Sequence, residues 1–528
     1  MMKIINPILK GFNPDPSILR VEDDYYIATS TFEWFPGVQI HHSKDLIHWK
    51  LVTRPLNRIS QLDMRGNPIS GGIWAPALSY HNGVFYLIYT DVKSWCDGVF
   101  KDSHNYLVTT TDITGDWSEP TYLNSSGFDP SLFHDDDGRK WLVNMIWDYR
   151  KGKNPFAGIV LQEYSEEEKK LVGPITNIFK GTELGLVEAP HLYKRNGYYY
   201  LITAEGGTRF EHAVTFARAK ELTGPYELHP ENPILTSWKD PTLELQRTGH
   251  ASLVETQDGE WYLAHLCGRP IPSRGRCILG RETGIQKMRW DEDDWIRLDG
   301  EGNKPQLEVE APSLSEHPWA APKERDDFDS DILNIHFQTL RVPLMEDSLS
   351  LTERPGYLRL KGRESLSSKY TQSLVARRQQ AFHYTATTCV EFSPDTFQQM
   401  AGLISLYDNN NFFYLYISYC ESKGKIINIM TCNGGDFDEP LAEGVCIQGW
   451  ERCYFRVKVE YHILQFYYSP DGEGWTKIGP VFDASILSDE YTEPHRFTGA
   501  FVGLCCQDLS GRRNHADFDF FEYVEKYI

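Results

Sequence analysis

No apolar run in this chain is long enough to span a bilayer, and its first seven residues lack the apolar stretch of a secretory leader. Basic residues are scarce: 53 Lys and Arg stand against 74 Asp and Glu, a net charge of −21. Without basic patches a protein cannot neutralise a phosphate backbone, so nucleic acid is excluded as a partner. The same acidity disfavours anionic membranes and polyanionic substrates. Ten cysteines are present but none forms a C-x-x-C pair, which excludes the usual zinc and thioredoxin-like sites. They are expected to be reduced, small and apolar, with Cys505 and Cys506 on opposite faces of one strand. No G-x-S-x-G elbow is present, so a serine hydrolase of that kind is excluded. What remains is a cytoplasmic protein with a neutral substrate.

Aromatic residues, by contrast, are abundant at 13%. They pack well in sheets, and their flat faces also stack on the C–H faces of sugars. The chain is built on a repeat. Asp15-Pro16-Ser17, Ala75-Pro76-Ala77, Asp129-Pro130-Ser131, Ala189-Pro190-His191 and His250-Ala251-Ser252 follow one another at intervals of 54 to 61 residues. Each is followed by a turn pair and an aromatic run: Asp23-Asp24, Asn82-Gly83, Asp137-Gly138, Asn196-Gly197 and Asp258-Gly259 lead into Tyr25-Tyr26, Phe85-Tyr86, Trp141-Leu142, Tyr199-Tyr200 and Trp261-Tyr262. Asn-Gly and Asp-Gly between apolar runs predict hairpins with type I′ turns. Five hairpins in one register predict a five-bladed β-propeller over residues 1–310, each blade of about four strands. Stretches ending in Trp49, Trp117 and Tyr226 rhyme too, each expected to close a blade with an aromatic.

Residues 311–325 are rich in Pro and polar side chains and read as a linker. Residues 326–528 lose the repeat. Their short alternating runs, among them 401–406, 412–417, 454–459 and 516–521, predict a jelly-roll-like β-sandwich.

Equivalent positions of propeller blades face one axis, so Asp15, Asp129 and, one step earlier in its copy, Glu188 are expected to meet. A lone Asp-Pro is an ordinary turn, because the carboxylate can bond nearby backbone. Here the scaffold stays constant while Asp, Ala, Glu and His alternate on it, which is the pattern of a site. Three close carboxylates suit inverting glycoside hydrolysis. That reaction needs a base to activate water and an acid held protonated, about 6.5–9.5 Å away. A third carboxylate raises the acid's pKa by repulsion. The longer Glu188 suits the acid; the chemistry alone leaves the two Asp roles unordered.

Asn13-Pro14-Asp15-Pro16-Ser17, Gly127-Phe128-Asp129-Pro130-Ser131-Leu132 and Val187-Glu188-Ala189-Pro190-His191 resemble the three signature segments of family 43 glycoside hydrolases. Thr31-Phe32-Glu33-Trp34-Phe35-Pro36-Gly37-Val38 and Gly71-Gly72-Ile73-Trp74-Ala75-Pro76 resemble its β-xylosidase branch. The likeness runs nearly end to end. It implies Asp15 as general base, Glu188 as general acid and Asp129 as the residue that tunes and orients the acid. It implies Arg281 as a donor to sugar hydroxyls, and Phe32, Trp74, Phe128 and Trp147 as apolar walls. Phe497 of the second domain is expected to reach over the site, and His250 to stand on the axis, with room for a calcium ion beside it. No cofactor is required. The expected activity is exo-acting, inverting release of D-xylose from xylobiose and short β-1,4-xylooligosaccharides in xylan degradation. An α-L-arabinofuranosidase, with either or both activities in one site, and a non-catalytic carbohydrate-binding propeller are the alternatives. The likeness further implies a homo-oligomer, often a tetramer. The segment 268–278 is short for this branch, which bears on the pocket rim.

Overall fold

A computed structural model describes residues 2–526. The first part is a five-bladed propeller. Its blades occupy residues 17–53, 72–124, 131–179, 188–228 and 246–298, and each is built from consecutive antiparallel strands. Leu235–Thr236 adds an extra strand to the fourth. The innermost strands, Ser17–Val21, Gly72–His81, Ser131–His134, Glu188–Arg195 and Gln246–Glu255, each begin at or near the repeated motif.

The serine of the Asp-Pro-Ser motif stitches blades together. Ser17 Oγ accepts from Leu78 N at 3.0 Å, and Ser131 Oγ donates to Pro190 O at 2.6 Å. Ser252 Oγ accepts from Ile18 N and donates to Pro16 O, both at 2.9 Å, and so closes the ring between the fifth and first blades. The blade-closing aromatics also share a bond. Trp49 and Trp117 donate from Nε1 to Leu46 O and Ile113 O, and Tyr226 donates its hydroxyl to Leu222 O, at 3.0–3.3 Å.

The turns differ from expectation in part. Asn82-Gly83 and Asn196-Gly197 are two-residue turns with positive φ at both positions, as type I′ requires. In the first blade the turn is Glu22-Asp23, one residue early, because Val21 pairs with Asp24. Asp137-Gly138 and Asp258-Gly259 sit in longer loops closed by Asp135 N to Arg139 O and Thr256 N to Glu260 O. There only the glycine takes positive φ.

The second part is a sandwich of two antiparallel sheets. One contains His383–Glu391, Cys453–Glu460, Ile463–Ser469 and His515–Glu525; the other contains Ser373–Arg378, Gln399–Asp408, Asn411–Cys420 and Phe501–Asp508. The inner faces form one apolar core around Leu403, Leu415, Phe455, Val457 and Phe518. The outer face of the second sheet packs on the propeller, so Ile404, Tyr414 and Phe501 share a core with Phe12, Phe32 and Trp34. Trp34 lies flat on Phe501, centroids 3.7 Å apart and planes 13° apart. Trp34–Phe35 also pairs with Thr339–Leu340 as a two-stranded sheet between the two parts. Cys505 faces the propeller and Cys506 the sandwich core, as strand alternation requires. All ten cysteines are unpaired.

Candidate active site

The five motif positions share an unusual backbone. Asp15, Ala75, Asp129, Ala189 and His250 have φ of 58°, 38°, 54°, 53° and 39°. Left-handed backbone costs a non-glycine residue about 1–2 kcal/mol. Strain at all five blades marks the motif as a device that turns the chain at the propeller axis.

Asp15, Asp129 and Glu188, from three blades, open into one cavity of about 210 Å³. Pockets for drug-sized ligands run to roughly 300–1,000 Å³, so this one suits a smaller guest. Phe32, Trp74, Phe128 and Trp147 line it as the sequence suggested; so do His250, Arg281 and Phe497. Phe497 comes from the sandwich. Its ring lies 5.7 Å from Trp74 and 6.2 Å from Phe32, and its backbone N–H donates to Ser70 Oγ at 3.1 Å. The second domain therefore supplies part of the wall.

The carboxyl groups sit in opposed electrostatic surroundings. Burial works against ionisation of Asp15, but Arg281, His250 and the Ser30 hydroxyl outweigh it and hold its pKa below the ordinary value. Arg281 Nη1 donates to Asp15 Oδ1 at 3.2 Å, Ser30 Oγ donates to Oδ2 at 2.6 Å, and His250 Nδ1 stands 3.6 Å away. Among the described residues no hydrogen bond reaches the Glu188 carboxyl: burial, then the Asp15 charge, push it up to about 8 against the charges of Arg281 and Lys101. Asp129 is also raised well above its ordinary value, by burial and by the charges of Glu188 and Asp15, against a hydrogen bond from Ala189 N at 3.2 Å and the charge of Arg281. Asp129 and Glu188 titrate as a pair, and near neutral pH that pair keeps a proton while Asp15 is ionised.

Arg281 is held from both domains. Its Nη2 donates to Phe497 O at 2.9 Å and its Nη1 also reaches Thr208 Oγ1 at 3.3 Å. Behind it Asp489 of the sandwich lies 3.8 Å from Nε, braced by Arg247 at 3.3 Å and by the Tyr407 hydroxyl at 2.6 Å. Arg247 also pairs with Glu490 at 2.6 Å.

Several lining residues went unnamed in the sequence reading. Lys101 reaches over Trp147, 4.4 Å from the ring centroid, and its charge acts on Glu188. Phe156 and Thr208 line the cavity, as does His212, whose buried ring nitrogens meet no well-aligned partner in the chain. Gly249 makes room for that imidazole: a Cβ there would lie 1.9 Å from His212 Cδ2. Unsatisfied imidazole nitrogens beside a cavity suit a guest rich in hydroxyls. The calcium ion expected beside His250 would ask for six to eight oxygen ligands. Among the described residues no three His, Cys, Asp or Glu side chains group as a metal site.

Residues 4–296 match the profile described as Glycosyl hydrolases family 43, and residues 325–524 match a Beta xylosidase C-terminal Concanavalin A-like domain. A Beta-xylosidase of Bacillus subtilis (strain 168) is 55% identical, covering 99% of this chain and 100% of that protein. Xylosidase/arabinosidase 43B of Humicola insolens is 53% identical over 99% of this chain and 98% of its own. The crystal structure of a xylan beta-1,4-xylosidase from Bacillus halodurans C-125 superposes with a TM-score of 0.98 at 59% identity, covering 99% of this chain and 100% of that one.

Proposed function

The chain belongs to glycosyl hydrolase family 43, and from that premise we propose that it is an exo-acting, inverting β-xylosidase that removes one D-xylose at a time from the non-reducing end of short β-1,4-xylooligosaccharides. The observation that carries the reading is the convergence of Asp15, Asp129 and Glu188 in one apolar-walled cavity, one carboxyl poised ionised and the other two poised to share a proton.

In this reading Asp15 takes a proton from water as the water attacks the anomeric carbon. Glu188 gives its proton to the departing glycosidic oxygen in the same step, so the anomeric centre inverts. Asp129, hydrogen-bonded to the backbone next to Glu188, orients the acid and keeps the proton shared between them available. Arg281 holds Asp15 ionised and offers donors to sugar hydroxyls, while Phe32, Trp74 and Phe128 exclude water. Phe497 caps the wall from the sandwich; a cavity closed on that side favours a chain end over the middle of a polymer. Ten unpaired cysteines fit a reducing compartment such as the cytoplasm. A homo-oligomer, a tetramer by family likeness, belongs to the same proposal and is read by sedimentation.

The test is proton NMR of xylobiose during hydrolysis. Release of xylose with the anomeric configuration opposite to that of the cleaved bond is expected; retained configuration, or no release, overturns the reading. A second activity on terminal α-L-arabinofuranose is favoured by the relative whose name carries both activities. Rates on matched nitrophenyl xyloside and arabinofuranoside rank the two.

A further inference from the structure

A second chamber, of about 320 Å³, lies where the first blade, residues 319–322 and the sandwich meet. In a chain of net charge −21 it is lined by Lys10, Lys50, Arg54, Arg377 and Arg378, and by no Asp or Glu. Arg54 and Arg378 are more than nine-tenths buried, and among the described residues neither forms an ion pair with a carboxylate. Arg54 donates from Nε and Nη2 to Gln39 Oε1 at 3.0 and 2.6 Å, and from Nη1 to the backbone carbonyls of Ile335 and Phe337. Arg378 donates from Nε to Phe12 O at 2.7 Å and from Nη1 to Gln338 Oε1, but its Nη2 has no partner. The Nδ1 of buried His41 beside them is also unpartnered. Burial lowers the pKa of both arginines, Arg54 to about 9, so holding these charges without a counter-ion is costly.

Guanidinium forks match oxyanions in shape and charge. A single water takes about 30 Å³, so the chamber is far larger than a bare ion needs. Leu9, Leu51, Ile335, Trp49 and Trp319 give its wall an apolar and aromatic part, beside the polar Asn13, Gln39, His336 and Gln380. We propose that this chamber is a binding site for the phosphate group of a small phosphorylated molecule of sugar size, whose organic body lies against Trp49 and Trp319. The site is separate from the catalytic cavity but touches the same segment, since Gln39 Nε2 also donates to Asn13 Oδ1, two residues before Asp15.

The full chain is titrated in a phosphate-free buffer with ribose 5-phosphate, with inorganic phosphate, and with sodium chloride at matched ionic strength. Melting temperature and tryptophan fluorescence are followed. Ribose 5-phosphate at ten times its dissociation constant is expected to raise the melting temperature by about 1 °C beyond chloride and to change the fluorescence saturably. Both responses should fall at least tenfold in apparent affinity in Arg378→Gln and in the milder Lys50→Glu, which should hydrolyse xylobiose at the unaltered rate. If Arg378→Gln does not fold, Lys50→Glu decides. Equal responses to inorganic phosphate and the sugar phosphate, with no fluorescence change, overturn the organic body. No response beyond chloride, or undiminished binding in Lys50→Glu, overturns the site.

Discussion

Replacing Glu188 by Gln tests the division of labour most directly. Burial and the Asp15 charge push Glu188 up to about 8, so the acid keeps its proton at pH 7. As pH rises through 8 that proton is lost, and with it the acid; the basic limb of the wild-type profile should fall there. Gln keeps the shape and removes the transferable proton. Losing a general acid costs about 10²–10⁴ in rate, equivalent to about 3–5 kcal/mol of barrier. That loss should appear in full on xylobiose, whose leaving oxygen must be protonated. On dinitrophenyl xyloside, whose leaving group departs as an anion, the loss should stay within about tenfold. The assay is kcat/KM for both substrates between pH 4 and 10. Equal losses on the two substrates, or a basic limb that survives in Glu188→Gln, would refute the reasoning.

Asp15→Ala should lower turnover of both substrates by more than about a thousandfold, because no group remains to activate water; near wild-type kcat ends the assignment. Asp129→Asn removes a like charge from the pair, so the basic limb should move to lower pH while kcat falls; an unmoved profile would leave Asp129 a structural residue. Phe497→Ala trims the wall that the sandwich lends to the cavity, and KM for xylobiose should rise about five- to thirtyfold, in keeping with about 1–2 kcal/mol of lost apolar contact; an unchanged KM would detach Phe497 from the sugar. Arg247→Met removes the cation that pairs the buried Asp489 and the half-buried Glu490 at the joint between the domains. It should cost about 3–5 kcal/mol, read as a lowered melting temperature, and an unchanged melting point would refute that role.

The propeller was legible because its information is repeated: one motif, one turn and one aromatic run recur five times, and equivalent positions must meet at an axis. Asp15, Asp129 and Glu188 followed from that alone. The reach of Glu188 suggested the acid, while the roles of the two Asp, and the parts of Arg281 and Phe497, came with family likeness, since no local pattern ties residue 497 to residue 32. Lys101, Phe156, Thr208 and His212 were missed because they lie outside the motif. A trace existed in Gly206-Gly207, a glycine pair before Thr208 with φ of 80° and 71°. The brace of Arg247, Tyr407 and Asp489 behind Arg281 joins residues from both domains, and nothing local announces such a contact. Nor did the left-handed backbone show itself: alanine twice takes a conformation that sterics disfavour, and only packing holds it there.

That last feature bears on how such a scaffold changes. Since the bend at Ala75 and Ala189 is already imposed by the ring, a new side chain at either place would inherit a fixed aim toward the centre without any further distortion of the chain. Two of the five seats around the axis are thus vacant in chemistry but furnished in geometry, and a propeller of this kind can exchange reactive groups while its framework stays as it is.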